Sequence, residues 1–179
     1  MSRARRLWMM LAIIAAVLGV DQASKRYAIA ELRDAGVSTY LGDTLRIQYA
    51  ENPGAFLSLL GGAPDWVRFA VLTVATGLVL VGVVAYALSR PQIDRWSFWA
   101  LALIAAGGVG NLIDRVAYDG KVIDFLNIGL GTLRTGIFNV ADMAIMAGFF
   151  MLLAQIVWPS RFAPAEEQTS AADAETAAA

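Results

Sequence analysis

The chain has 179 residues, 58% of them hydrophobic and 16% charged, with a formal net charge of −1. That excludes an ordinary soluble domain and gives no reason to expect a nucleic-acid partner. Cysteine and histidine are both absent, which excludes disulfides, thiolate nucleophiles and the commonest general base, and would leave a zinc site to carboxylates alone. No metal or cofactor is therefore expected, and any catalysis must run on Asp, Glu, Lys, Ser, Thr or Tyr.

Three arginines, Arg3, Arg5 and Arg6, precede the apolar run Leu7 to Val20. With Lys25 and Arg26 snorkelling to the interface, a first span covers about residues 7–28. A cleavable signal peptide would carry a small-x-small site after the run, and Asp21-Gln22 stands there instead. Alternation at Val37, Thr39 and Leu41, the turn residues Gly42-Asp43, and alternation at Leu45, Ile47 and Tyr49 predict a short hairpin. Asn52-Pro53-Gly54 is a turn, and the apolar stretch up to Leu60 is too short to span, so a brief interfacial helix is expected.

Residues 67–88 form a second span with Arg68 as its one charge, and 96–113 a third, opened by Trp96 and Trp99 as an interfacial belt would be. A polar connection with a strand-like 121–126 leads to the fourth span, 137–158. One membrane domain is expected over 1–159, followed by a disordered cytoplasmic tail, 160–179, rich in Ala, Glu and Thr. The fold class is thus an all-α membrane protein, a four-helix transmembrane bundle with small extramembrane strands. Six Lys or Arg lie on the side of the termini and eight on the other. The Arg cluster before span one and the basic 89–95 link weigh most, and favour both termini inside.

Alternating spans bring Asp21, Lys25, Asp114, Arg115, Asn139 and Asp142 to one membrane surface, the surface that also carries the Asn52 turn and Asp124. Helical spacing groups Asp21 with Lys25, Gly107 with Asn111 and Asp114, and Asn139 with Asp142. Plain roles suit several of them. Gly107, Gly108 and Gly110 suit close helix packing, Asp21/Lys25 an interfacial ion pair, and Asp114-Arg115 a local structural pair. Asn139 and Asp142 are harder to excuse, since a span gains nothing from them unless they are used. Two carboxylates that share one proton can activate water and polarise a carbonyl without His, Cys or metal. Asp142 sits on a helix and Asp124 could reach it from the loop, with Asn111 and Asn139 orienting the pair. Asp142, nearer lipid, is expected to hold the proton. Ser24 and Lys25 are adjacent, so a Ser–Lys hydrolase is poorly served, and nothing positions Ser58 for that role.

Asp21-x-x-x-Lys25, Asn52-x-Gly54-Ala55, the run Gly107 to Arg115, Val122-x-Asp124-Phe125 and Phe138-Asn139-x-Ala141-Asp142 together resemble the ordered motifs of the lipoprotein signal peptidases (signal peptidase II, aspartic protease family A8). The resemblance implies a bacterial inner-membrane endopeptidase with cytoplasmic termini and an extracytoplasmic site. It would cleave diacylglyceryl-modified prolipoproteins before the lipidated cysteine, in contact with membrane lipid, and be blocked by globomycin-type inhibitors. It implies Asp124 and Asp142 as the catalytic pair. Asn52, Gly54, Asn111, Arg115 and Asn139 would support the site or hold substrate, and Asp21 and Lys25 either contact substrate or stabilise the fold. The family's small extracytoplasmic sheet and interfacial helix correspond to the hairpin and the Asn52–Leu60 stretch. One departure is Phe56, which follows Ala55 where the family often has a second small residue. The alternatives are a small transporter or proton-conducting protein, which should carry polar groups mid-span, and a membrane scaffold, which should tolerate Asp124→Asn and Asp142→Asn.

Overall fold

The structure is a computed structural model that describes residues 1–54, 62–90 and 92–162. Among them four helices are long and apolar enough to cross a membrane: Arg3–Leu32, Asp65–Ser89, Arg95–Ala117 and Val140–Val157. The first consists of α1 (Arg3–Tyr27), capped by Ser2, and a π-helical turn, Ala28–Leu32. The second runs through α2 (Asp65–Phe69), a π-helical stretch Ala70–Ala75, and α3 (Thr76–Ser89). The third and fourth are α4 (Arg95–Ala117) and α5 (Val140–Val157), and a short α6 (Pro159–Phe162) follows. The tail expected to be disordered from residue 160 thus begins as helix, and the rest of it lies outside the described residues. So does the predicted interfacial helix beyond Gly54, including Phe56 and Ser58.

Helix α4 is the centre of the bundle. Its buried side is mostly Ala and Gly, with Phe98 as the one large apolar side chain and Asn111 and Asp114 toward its C-terminal end. Such residues let backbones close in where lipid offers no hydrophobic drive between helices. Gly107 lies against the Ala141 carbonyl and Ile145, and Gly108 against Leu80. A methyl at Gly110 would stand 2.7 Å from Asp21 Oδ2. The outward faces carry exposed Trp8, Leu78, Val81 and Ile156, as lipid-facing surface requires. At the end of the termini, the buried Arg6 guanidinium donates to the Arg90 carbonyl, joining the start of α1 to the end of α3.

At the other end stands an antiparallel sheet of β1 (Ser38–Tyr40), β2 (Leu45–Asn52), β3 (Val122–Leu130) and β4 (Leu133–Arg134), in that order. The predicted hairpin is β1–β2, with Tyr40 opposite Leu45. Strand β3 is longer than the 121–126 expected, and β4 was hidden in a glycine-rich stretch. A register shift between Ile47 and Ala50 sets Ala50 opposite Asp124 and Asn52 opposite Val122. Phe138 bridges to Leu126, so α5 starts three residues later than the predicted span. Helix α4 continues past Ile113 because Asp114 is paired within the protein rather than exposed to lipid.

Candidate active site

Helix α5 begins with a reciprocal cap. Asn139 has extended backbone, its Oδ1 accepts from Asp142 N at 2.9 Å, and Asp142 Oδ2 accepts from Asn139 N at 3.2 Å. This capping arrangement satisfies two orphan amides at the helix start and fixes both side chains. It leaves the Asn139 amide NH2 free to reach out. Nδ2 donates to Asp124 Oδ1 at 2.7 Å, to Asn111 Oδ1 at 3.1 Å and to the Ile123 carbonyl at 3.3 Å. One cap residue therefore touches both aspartates: Asp142 through its backbone and Asp124 through its side chain.

Asp124 comes from β3 and is 1% exposed. Its Oδ2 accepts from Asn52 Nδ2 at 3.0 Å, and Asn52 Oδ1 accepts from Gly54 N at 2.9 Å. Gly54 has φ +89°, a conformation that favours glycine, and a side chain there would collide with Leu72. Asp142 is half-buried and accepts from Asn111 Nδ2 at 2.8 Å on Oδ1. Burial is the largest influence on Asp124 and, reinforced by the charge of Asp142, pushes its carboxyl up to about 7 against the amides of Asn52 and Asn139 and the charge of Lys25. The expectation placed the raised carboxyl at Asp142 because that residue is nearer lipid. The carboxyl that burial lifts is Asp124, which the sheet covers more completely.

Beneath this pair is a second cluster. Lys25 Nζ contacts Asp21 Oδ2 at 2.9 Å, Asp114 Oδ2 at 2.8 Å and Asn111 Oδ1 at 3.1 Å. The three ionic side chains are at most 2% exposed. Asp21 Oδ1 accepts from Ala141 N at 2.9 Å, and Asp114 Oδ2 from Ile123 N at 3.0 Å. The expected Asp21–Lys25 ion pair is present, but Lys25 is buried in it rather than snorkelling to the interface, and Asp114 pairs with Lys25 from another helix rather than with its neighbour Arg115. Gln22, not among the expected site residues, donates to Asp114 Oδ1 at 2.9 Å and to Asp21 Oδ2 at 3.3 Å. Its place three residues before Lys25 was the available signal. Arg115 stands within the field of Asp142, Asp114 and Asp124, and its Nη1 reaches the Asn111 carbonyl at 3.5 Å. Ser24 donates its hydroxyl to the Asp21 carbonyl at 2.8 Å, so Ser24 and Lys25 form no nucleophile–base pair.

The arrangement sets two carboxylates within each other's field, one enclosed and one partly open to water, among amide donors that include the shared Asn139. Residues 13–158 match the family model described as signal peptidase (SPase) II. The chain is 35% identical over 161 residues to the lipoprotein signal peptidase of Psychromonas ingrahamii, covering 89% of this chain and 90% of that one. It is 38% identical over 146 residues to that of Paraburkholderia phytofirmans, covering 82% and 81%. Two solved structures described as bacterial membrane enzymes determined by the in meso method, at 1.9 and 2.3 Å, superpose with TM-scores of 0.68 and 0.70, each at 25% identity. They cover 83% and 88% of this chain and 92% of each of theirs.

Proposed function

Because the chain belongs to the signal peptidase II family and is therefore a membrane protease that processes prolipoproteins, we propose that Asp124 and Asp142 are its catalytic pair. The observation that carries this is Asn139, which bonds both carboxylates from one helix cap. Asp142, half-open to solvent, is the base. It takes a proton from water, whose oxygen attacks the scissile carbonyl carbon. Asp124, enclosed and raised to about 7, gives its proton to the carbonyl oxygen, and a gem-diol forms. Collapse reverses the roles. Asp142 protonates the departing amine nitrogen, Asp124 recovers a proton from a diol hydroxyl, and the peptide bond breaks.

The substrate is a diacylglyceryl-modified prolipoprotein, cut before its lipidated cysteine. A site at the very end of four apolar helices suits it: the signal peptide and acyl chains stay in lipid while the scissile bond meets the sheet. The bacterial inner membrane is the setting, with both termini in the cytoplasm and the site on the outer face. Asn52, Asn111 and Asn139 orient the pair, Arg115 is the cation available to a substrate carbonyl, and globomycin-type inhibitors compete for this place. Transport is poorly served, because the polar groups crowd one end and the second span carries no charged residue after Arg68.

The test is cleavage of a lipid-modified prolipoprotein by protein reconstituted in nanodiscs. Asp124→Asn and Asp142→Asn should each lower kcat by about 10³-fold or more while the protein stays inserted and folded. Full activity in either variant refutes the pair. The wild type should give a bell-shaped pH profile whose limbs belong to the pair jointly.

A further inference from the structure

We propose that Lys25 is a positioning residue for this pair, acting through Asn111: its ammonium dictates which way the Asn111 amide faces, and so delivers an N–H to Asp142. The inference rests on the catalytic reading of Asp124 and Asp142.

An ammonium has three donors and no acceptor. Lys25 directs them to Asp21 Oδ2, Asp114 Oδ2 and Asn111 Oδ1. Asn111 Oδ1 also receives Asn139 Nδ2 at 3.1 Å. Two groups that can only donate here converge on that oxygen. Turning the amide over would set its NH2 against both of them. The oxygen is therefore fixed, and Nδ2 must point to Asp142 Oδ1, where it lies at 2.8 Å.

Asn139 is oriented differently. Its Oδ1 is held by the Asp142 backbone N–H, an anchor internal to α5. Asn111 has no such local anchor among its described contacts: its Oδ1 is set across the bundle by Lys25 from α1, the charged donor, together with Asn139 from α5. Stability alone is a weak reason for such a cluster, since buried ions are commonly replaced by apolar groups at no loss. The charged and titratable groups around Asp142 are Asp21 and Lys25 from α1, Asp114 and Arg115 from α4, and Asp124 from β3. Strand β2 adds the neutral Asn52. Of the contacts given to Asp142 Oδ1, the N–H of Asn111 is the one Lys25 controls.

The experiment measures kcat and KM from pH 4 to 9 in nanodiscs, with a lipid-modified prolipoprotein peptide. The variants are Asn111→Leu, Lys25→Met with Asp21→Asn so that the cluster keeps its net charge, and all three changes together. Asn111→Leu and the Lys25 variant should each lower kcat by about 10- to 100-fold with KM within about twofold. The acid limb, which belongs to the pair jointly, should move up by about one pH unit, because the pair's charged form loses a donated N–H. The triple change should be no worse than Asn111→Leu, since all act through one amide. Multiplying losses, or an unmoved acid limb in a folded variant, overturns the proposal. If the Met variant does not fold, Lys25→Gln with Asp21→Asn replaces it: a glutamine can accept as well as donate, so it fills the space without the lock, and the same limb shift is required. Asp124→Asn and Asp142→Asn run alongside. Activity in either defeats the catalytic reading itself, whereas two dead variants beside an unmoved limb defeat only the role of Lys25.

Discussion

Two aspartate pairs stand at the same end of the bundle and share Asn111 between them, yet the protein treats them in opposite ways. Asp21 and Asp114 flank a lysine, are fully buried, and also bind backbone amides of α5 and β3. Asp124 and Asp142 receive only N–H groups from asparagines, and among the described residues neither makes a salt bridge. A carboxylate with a cation beside it has a settled charge and holds structure. A carboxylate pair given only neutral donors, one member buried, has an unsettled charge, and that is what proton transfer needs. On the proposed reading, residue type does not separate the two roles; the partners do.

Substitutions can break this contrast. The largest effect is on activity alone: Asp142→Asn should abolish cleavage with little change in resistance to unfolding, as read by kcat beside a thermal midpoint in nanodiscs. Lys25→Ala should strike stability as well as kcat, leaving two buried carboxylates without their cation and costing about 3–5 kcal/mol, measured by denaturant titration of the folded fraction. Asn139→Ala belongs to both classes. It should lower kcat by about 10²-fold and, through the lost helix cap, cost about 1 kcal/mol in the same titration.

Asp124 sharpens the contrast through pH. Its folded value, about 7, lies above the ordinary carboxylate value of about 4. The folded protein thus binds more protons than the unfolded chain between those pH values, so stability falls as pH rises from about 4 to about 7 and levels off above. Asp124→Asn should remove that slope in thermal midpoints recorded across the range. The smallest effect belongs to the exposed Lys121–Glu51 pair at 2.6 Å. Lys121→Gln should barely move the midpoint, and salt should erase what change there is.

Much of this was legible in the sequence for a physical reason. Apolar runs long enough to span leave few choices, and alternating their direction gathers the polar ends, so Asp21, Asn111, Asn139 and Asp142 could be placed together without coordinates. The spacing of Asn139 and Asp142 was visible as well, though not its meaning as a reciprocal cap. What stayed hidden depended on contacts between distant segments. Asp114 looked like a partner for Arg115 because the two are adjacent, whereas its cation comes from α1. Asp142 looked the more desolvated because it lies on a span, but burial of Asp124 depends on how β3 packs over the helix ends, which no periodicity encodes. Strand β4 is two residues long and leaves no pattern to read.

The contact between Asp21 Oδ1 and the Ala141 amide joins residues 120 positions apart. Translation must therefore have passed Ala141, beyond the first three spans, before the contact can form. A chain with three helices in place already carries Asp124 but lacks Asn139, which bonds it, and Asp142 beside it. On the proposed reading, the pair is therefore assembled only when the last helix docks.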